Sequence, residues 1–312
     1  MDNVNETGSA ANETASAAAD GLAVGRQGSA ASHERAVRVI EVKQSVFAAN
    51  DRAAEQLRDE LRQRGTFLLN LMSSPGSGKT TTLRRMVSAL AGELTMGVME
   101  ADIDSDVDAR TMAAAGVPAV QLHTGGMCHL DAAMTRQGLA ELDAAARDAA
   151  ATNIPTAARD AAAPSVPAVP APAAPAPAAP SAPLDLAVLE NVGNLVCPAE
   201  FDTGASVNVA ILSVPEGDDK PLKYPLMFEV CDVVLVNKMD VAPYFDFSLE
   251  RCEANVRLRN PHALVLPMSA RTGEGVGAWC DWLLAAVRSW QAGTFEKASP
   301  TNTAAAHYPK EA

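Results

Sequence analysis

The chain has 312 residues, of which 48% are hydrophobic, so it is long enough to bury the core of one large domain or two small ones. Acidic residues (38) outnumber basic residues (25), and the formal net charge is −13. No basic surface is concentrated in the sequence, which argues against nucleic acid as the main partner. The five cysteines are unevenly spaced, and we find neither a signal peptide nor a long uncharged apolar stretch, so we expect a reduced, cytoplasmic protein that does not bind a membrane.

Two segments precede the first predicted strand. Residues 1–34 are mostly Ala, Asn, Ser, Gly and Thr, with too few large apolar groups to offset the entropy lost on ordering, so we predict a disordered tail. Residues 35–64 begin with an apolar alternation from Val37 to Val42 and continue into a segment rich in Glu, Arg, Leu and Ala. We predict a helix at Asn50–Arg64 and, for 35–64 as a whole, an N-terminal helical extension beside the core.

A phosphate-binding loop is predicted after the first strand. The apolar run that begins at Phe67 is followed by a loop of small residues and then by Lys79 and Thr80, after which a helix is predicted to start. Glycines let the backbone N–H groups of such a loop turn inward, the lysine places a charge on phosphate oxygens, and the hydroxyl of Thr80 can hold Mg²⁺. Ser73 stands where the generic G-x-x-x-x-G-K-[ST] pattern has glycine, so a chance glycine loop before a helix is the structural alternative. The predicted nucleotide-binding residues here are Gly76, Ser77, Gly78, Lys79, Thr80 and Thr81.

Strands and helices alternate after this loop. We predict a helix at Thr81–Leu90, a strand at Leu94–Met99, a helix at Val107–Ala115 and a strand at Val117–Leu122. Short, nearly continuous apolar runs are typical of strands covered on both faces, and four more follow, at 184–196, 207–214, 230–237 and 263–269. A last helix is predicted at Gly277–Trp290. The order predicts an α/β P-loop NTPase with a mostly parallel sheet and helices on both faces.

A proline-rich segment interrupts this pattern. From about 144 to 183 the sequence is rich in Ala and then in Pro, which predicts an extended, polyproline-like insertion. Strand patterns lie on both sides of it, so we predict one nucleotide-binding domain at 65–292 that contains the insertion. A passive insertion and a docking arm for a partner are both open. Residues 293–312 are predicted to form a loose tail.

Residues suited to reading a guanine base follow two later strands. Asn237-Lys238-Met239-Asp240 directly follows an apolar strand, and such an aspartate in P-loop GTPases accepts hydrogen bonds from guanine N1 and the exocyclic amine. Adenine does not offer that pair of donors, so GTP is favoured, and an adenine-reading small-molecule kinase is the alternative. Ser269-Ala270 resembles the second guanine-contacting loop of the same class. The predicted base-reading residues are Asn237, Lys238, Asp240, Ser269 and Ala270.

Carboxylates for Mg²⁺ and for catalysis are expected at the ends of two strands. Glu100, Asp102 and Asp104 follow the strand predicted at Leu94–Met99, and Glu190 ends another strand. Carboxylates gather at the carboxyl ends of parallel strands, where Mg²⁺ needs one directly or through water. We predict that Asp102 holds Mg²⁺ with Thr80 or orients water, with Glu190 behind it.

The predicted catalytic residues are accordingly Lys79, Asp102 and Glu190. A solvated loop acid is the alternative for either carboxylate. Asn194 stands where many GTPases carry a glutamine that positions water, so slow intrinsic hydrolysis is expected.

A third group of residues has the chemistry of a metal site. Cys128 and His129 lie in a glycine-containing loop, and Cys197 directly follows the run ENVGNLV. Thiolate and imidazole are good ligands for Zn²⁺ and Ni²⁺. Three ligands do not close a tetrahedral shell, so water or a second copy of the chain would complete it. On spacing alone, unrelated buried cysteines are an equally open alternative.

Five segments together resemble the HypB family of GTPases, which serve nickel insertion into [NiFe]-hydrogenase. They are SSPGSGKTT, HTGGMCHLDA, ENVGNLVCPAEFDTG, SVPEGDDKPLKYPLMF and NKMD followed by VAPYFDF. The resemblance spans most of residues 35–288 apart from the insertion, and Ser73 matches the family's P-loop. It implies bound GTP with Mg²⁺, and Ni²⁺ or Zn²⁺ on Cys128, His129 and Cys197 at a nucleotide-responsive homodimer interface. The implied further partners are a HypA-type nickel chaperone and a hydrogenase large-subunit precursor.

Some residues depart from that family. Many members carry an N-terminal cysteine cluster or histidine-rich run, whereas here no cysteine precedes Cys128 and His33 is the only early histidine. We therefore expect no high-affinity N-terminal nickel site. Ala101 and Asp104 replace a usual glycine and glutamine, which leaves the switch chemistry open. A urease accessory-type GTPase, whose Cys-Pro-His motif this chain lacks, and a regulatory GTPase without metal are the remaining alternatives.

Overall fold

The computed structural model describes residues 42–102, 112, 116–152 and 184–297. Several predictions fall outside these residues: the tail at 1–34, the helix at Val107–Ala115 except Met112, the carboxylate Asp104, and positions 153–183 of the insertion. In the described part of the chain, no helix is both long and apolar enough to cross a membrane.

Seven parallel strands form one sheet in the described part of the chain, in the order β3-β2-β4-β1-β5-β6-β7. The predicted α/β class and parallel sheet are confirmed. The sheet places β4 beside β1, and it separates β3 from β4 by β2. The strands are β1 (Phe67–Ser73), β2 (Met96–Asp102), β3 (Ala119–His123), β4 (Leu186–Glu190), β5 (Val207–Ser213), β6 (Val233–Asn237) and β7 (Leu264–Pro267).

Helices cover both faces of the sheet. Alternate residues of β5 and β6 point to opposite faces, as the period of a strand requires. Val209 and Val233 pack in one core cluster with residues of the helices at 79–90 and 276–291. Ala210 and Val234 pack in another cluster with residues of the helices at 225–230 and 249–259. The helices of the described residues are α1 (Val42–Arg64), α2 (Lys79–Leu90), α3 (Ala132–Thr152), α4 (Cys197–Glu200), α5 (Lys220–Lys223), α6 (Pro225–Val230), α7 (Leu249–Arg259) and α8 (Val276–Gln291), with 3-10 turns at Val214–Glu216 and Met239–Tyr244.

The boundaries of three predicted elements need correction. Helix α1 begins at Val42, so the helix predicted at Asn50–Arg64 starts earlier than expected; the apolar alternation from Val37, apart from Val42 itself, lies outside the described residues. Strand β2 runs to Asp102, so Glu100 and Asp102 lie within it and do not follow it. The apolar run 184–196 forms a strand only at β4, because the chain after Glu190 leaves the sheet and crosses towards the loop that follows β1.

Helix α3 was not predicted, although its signals are present. Asp131 precedes it and accepts the backbone N–H of Met134 on Oδ1 at 2.8 Å, which satisfies one of the donors exposed at a helix start. The helix itself is rich in Ala, Leu, Glu and Arg, which favour helix. It runs to Thr152, so the predicted insertion, from about 144, begins within a helix.

The first residues of the predicted loose tail pack on the core. The ring of Phe295 meets those of Phe67 and Trp290 edge-on, with centroids 5.2 and 5.9 Å apart. Lys297 Nζ lies 3.3 Å from a carboxylate oxygen of Asp232. Positions 298–312 lie outside the described residues, so the prediction of a loose tail stays open there.

Candidate functional site

The loop after β1 has the backbone of a phosphate cradle. Gly76 and Gly78 have φ angles of 75° and 103°, a region that side chains disfavour. A Cβ on Gly78 would lie 2.5 Å from Asn237 Nδ2, so only glycine allows this close approach. Helix α2 begins at Lys79, so its first backbone N–H groups and Thr80, which is partly buried, face the end of the loop. Thr81 is exposed at the next position.

The side chain of Ser73 forms hydrogen bonds with three other residues of the loop. Its hydroxyl is buried at the end of β1 and accepts hydrogen bonds from Lys79 Nζ at 2.9 Å and from Ser77 Oγ at 2.7 Å. It donates to the Ser74 carbonyl at 2.8 Å. A glycine here, as in the generic pattern, could do none of this. The residue that made the generic match incomplete therefore orients the lysine of the loop.

The predicted base-reading residues are joined to the phosphate loop. The buried amide of Asn237 donates to the Ser77 carbonyl at 2.9 Å and accepts the Ala270 backbone N–H at 2.9 Å. Lys238 has a left-handed φ of 63°, and its Nζ donates to the Gly76 carbonyl at 2.7 Å. The end of β6 thus ties the loop after β1 to the loop after β7.

Asp240 is held as a carboxylate acceptor beside that junction. The Ser269 hydroxyl donates to its Oδ1 at 2.6 Å, and Arg271 Nε donates to its Oδ2 at 2.9 Å. The hydrogen bond from Ser269, together with that from the positively charged Arg271, holds the pKa of Asp240 below its ordinary value. The group therefore stays ionised at neutral pH, which is the state that accepts hydrogen bonds from guanine N1 and N2. No pattern in the sequence indicated the contribution of Arg271.

Two buried carboxylates lie side by side in the sheet near the cradle. Glu100 of β2 pairs in register with Glu190 at the end of β4, and both are buried. Gln121 of β3 is the register partner of Glu100 on the other side. Asp102 ends β2, and its side chain lies outside the described part. The structure therefore brings Glu190 close to Glu100, a neighbour without a predicted catalytic role.

The segment after β4 passes against the phosphate loop. Asn191 is fully buried; its backbone N–H donates to Leu71 of β1 at 2.9 Å, and its side chain donates to Asn70 Oδ1 at 3.1 Å. A Cβ on Gly193 would lie 3.5 Å from Lys79 Nζ. The backbone at Gly193 therefore runs directly beside the lysine of the cradle.

This same segment leads to a pair of thiols. Cys197 begins α4, and a hydrogen bond with Cys128, reinforced by burial, raises the pKa of the Cys197 thiol. Asn194 Nδ2 lies 3.8 Å from Cys197 Sγ as a donor. All five cysteines are free thiols; Cys128 and Cys197 are partly buried, whereas the other three are buried in the core. Burial raises the pKa of Cys252 to about 12 and that of Cys280 to about 11, and it raises that of Cys231 well above the ordinary value, so these three are protonated at neutral pH.

His129 makes a different contact. Its ring stacks on Phe201, with centroids 3.8 Å apart and planes 6° apart. In the described residues, no three or more His, Cys, Asp or Glu side chains are grouped so as to hold a metal ion. The structure thus joins Cys128 to Cys197 but does not group His129 with them. Two soft sulfur donors with an imidazole at the neighbouring position fit Ni²⁺ or Zn²⁺, with further ligands still required.

The glycine-rich loop between a buried strand and a helix, set in a parallel sheet, defines a P-loop NTPase. A profile described as "CobW/HypB/UreG, nucleotide-binding domain" matches residues 67–267. The hydrogenase maturation factor HypB of Cupriavidus necator is 47% identical over 80% of this chain and 70% of its own length. The hydrogenase maturation factor HypB of Azotobacter vinelandii is 41% identical over 82% of this chain and 74% of its own length. The chain belongs to the HypB family, as its motifs predicted.

A solved structure agrees with this assignment. The crystal structure of HypB from Helicobacter pylori in complex with nickel has a TM-score of 0.63 and 30% identity, and the match covers 80% of this chain and 99% of that chain. The shared fold therefore extends over nearly the whole of that protein.

We predict that Asn237→Asp weakens both the fold and nucleotide binding. The change removes the donor to the Ser77 carbonyl and buries a carboxylate beside that oxygen, which should lower the free energy of unfolding by about 1–3 kcal/mol. Urea unfolding and the affinity for a fluorescent GTP analogue measure the two effects. As a control, Asn260→Asp breaks a bond to the Cys231 carbonyl far from the cradle, so it should cost stability without changing nucleotide affinity. If Asn237→Asp left the nucleotide affinity unchanged, Asn237 would not be needed to hold the phosphate loop in its binding conformation.

Proposed function

We propose that this chain is a GTP-hydrolysing metallochaperone that delivers nickel during the maturation of [NiFe]-hydrogenase. The observation that carries the proposal is the segment from Gly193 to Cys197, which starts beside the lysine of the phosphate cradle and ends at a thiol paired with Cys128. Two relatives that are hydrogenase maturation factors support the pathway, and the nickel complex of the Helicobacter pylori relative supports the cargo.

The nucleotide in this proposal is GTP. The ionised Asp240 would accept the guanine N1 and N2 donors, while Lys79 would contact phosphate oxygens together with the backbone N–H groups of the loop. Mg²⁺ would be held by Thr80 and Asp102, and it would neutralise charge on the phosphates. Glu190 would support these ligands without touching the metal itself. With Asn194 in place of a glutamine that positions water, intrinsic hydrolysis would be slow.

The metal in this proposal is cargo, held by Cys128, His129 and Cys197. One chain provides two adjoining thiols and one nearby imidazole, so water or the same residues of a second chain would complete the shell. An incompletely closed shell suits transfer, because an incoming ligand can enter. Zn²⁺ would compete for the same donors.

Nucleotide state and metal affinity would be coupled through the segment 193–197. A phosphate on Lys79 changes the surroundings of the Gly193 backbone, and a shift of this segment moves Cys197 relative to Cys128. GTP would favour a homodimer, and hydrolysis to GDP would reverse this change. The two nucleotide states would differ in their affinity for the metal. By linkage, the metal must alter nucleotide affinity or dimerisation by the same free energy.

An exposed aromatic pair supports a dimer contact. In the segment 241–247, Tyr244 is 83% exposed and Phe245 is 45% exposed, so these two side chains are not part of the core. A second copy of the chain is the proposed occupant. A HypA-type nickel chaperone and a hydrogenase large-subunit precursor are the proposed donor and acceptor of nickel, in the cytoplasm.

We predict that Asp240→Asn exchanges guanine for xanthine specificity. The amide removes an acceptor for guanine donors but can donate to the C2 carbonyl of xanthine. Each hydrogen bond to a charged group is worth about 1.5–3 kcal/mol, so GTP should bind at least ~10-fold more weakly. Competition by GTP, XTP and ATP measures the order, and Asp219→Asn, which changes an exposed carboxylate beside Lys223, is the control. Retained preference for GTP would contradict the base-reading role, and preference for ATP in the unaltered protein would favour a kinase.

We predict that Cys128→Ala lowers the stoichiometry of bound nickel and zinc. The change removes one of the two adjoining sulfur donors and leaves the fold in place, because the residue is only partly buried. Metal analysis after dialysis measures the loss. Cys280→Ala, which removes a core thiol of high pKa, should leave the stoichiometry as it is. Equal metal content in Cys128→Ala and the unaltered protein would refute the proposed site.

A further inference from the structure

One side chain of α1 bridges the two loops that carry the thiols. Asn50 Nδ2 donates to the carbonyl of Asp202, which follows Cys197 and α4, at 2.9 Å. Its Oδ1 accepts the backbone N–H of Ala132, which follows Cys128 and His129, at 3.0 Å. The amide thus satisfies one orphan donor at the start of α3 and one loop carbonyl at the same time.

The sheet does not make this connection. Cys128 lies in the loop after β3 and Cys197 begins α4, which follows β4, and β2 separates these two strands. Neither loop is therefore positioned against the other by a direct strand pairing. The hydrogen bonds of Asn50 span the gap from a third element, which belongs to the N-terminal extension.

Other residues of α1 fix the same turn. Arg58 forms an ion pair with Asp202, and its Nε donates to the Ala205 carbonyl at 3.1 Å. Leu57 fills the space at Gly204, where a Cβ would lie 2.8 Å from its Cδ2. These contacts hold the Asp202 side of the bridge firmly, so that Asn50 has a fixed acceptor.

An aromatic stack links α1 to the imidazole. Phe47 of α1 lies against Phe201, with ring centroids 4.9 Å apart. Phe201 also stacks on the ring of His129, with ring centroids 3.8 Å apart. The helix therefore contacts the chain on the C-terminal side of both cysteines through Asn50, and it contacts Phe201, on which the His129 imidazole stacks.

We propose that Asn50 is a positioning residue of the metal site and sets the separation between Cys128 and Cys197. This inference rests on the proposed function, because it requires those cysteines to bind metal. Metal affinity depends on ligand separation to within a few tenths of an ångström, and groups that orient ligands without touching the metal change affinity when they are altered. Loss of the bridge should let the loops separate and weaken metal binding while the nucleotide site is unaffected.

The test compares Asn50→Leu and Asn50→Asp with a matched control. Leucine has a similar size and makes neither hydrogen bond, whereas aspartate keeps the acceptor for Ala132 and loses the donor to Asp202. The control is Asn255→Leu on α7. It removes another partly buried side-chain amide, which donates a hydrogen bond to the Asp218 carbonyl. Each full-length variant is titrated with Ni²⁺ against a chelator of known affinity and monitored by the sulfur-to-nickel charge-transfer absorption. GTP affinity and the thermal unfolding temperature are measured on the same samples.

We expect Asn50→Leu to bind Ni²⁺ about tenfold more weakly, with altered charge-transfer absorption and unchanged GTP affinity. Asn50→Asp should also lose affinity, and it keeps the test decisive if the leucine variant does not fold. The control should bind Ni²⁺ like the unaltered protein. Wild-type nickel affinity in both Asn50 variants, with Cys128→Ala deficient, would overturn this inference alone. Nickel binding that does not depend on Cys128 or Cys197 would overturn the proposed metal site and this inference with it.

Discussion

The pairing of β4 with β1 is the constraint on which the rest of the site depends. It places the segment after β4 directly beside the phosphate loop, where Asn191 is bonded to β1 and Gly193 lies against Lys79. The chain then has only a few residues in which to reach Cys197. The contact between Gly193 and Lys79 is non-covalent, and the proposed coupling passes from it along this short stretch of chain to the thiol. A different strand order would leave the nucleotide and the thiols in separate parts of the molecule.

Much of this arrangement could be predicted because its signals are local. The cradle, Asn237 and Asp240 lie directly at strand ends, so an apolar run followed by the right polar residues predicts both element and role. The parallel sheet follows from alternating strands and helices. Ser73 shows the limit of a generic pattern: it counts against the match, yet its hydroxyl holds Lys79. The cap at Asp131 was equally local, and with it α3 could have been predicted.

The rest depends on contacts between distant parts of the chain, which no local pattern encodes. Asn50 reads in the sequence only as the first residue of a predicted helix, but its amide meets loops far along the chain. The stacking of His129 on Phe201 and the bond from Arg271 to Asp240 are of the same kind. A partly buried polar side chain has value only through partners that the fold brings to it. Helix α1 thus contacts both segments that carry the proposed metal ligands, although its sequence predicted only an extension beside the core.

The proposed coupling between nucleotide state and metal affinity is tested by titrating the purified protein with Ni²⁺ in the presence of GTP, of GDP and of neither. Stoichiometry, affinity and molecular mass are recorded in each state. We predict that the affinity differs between the GTP and GDP states by at least about fivefold, the lower end of typical couplings, and that GTP raises the dimer fraction. The same nickel affinity and the same mass in all three states, with GTP shown to be bound, would contradict it.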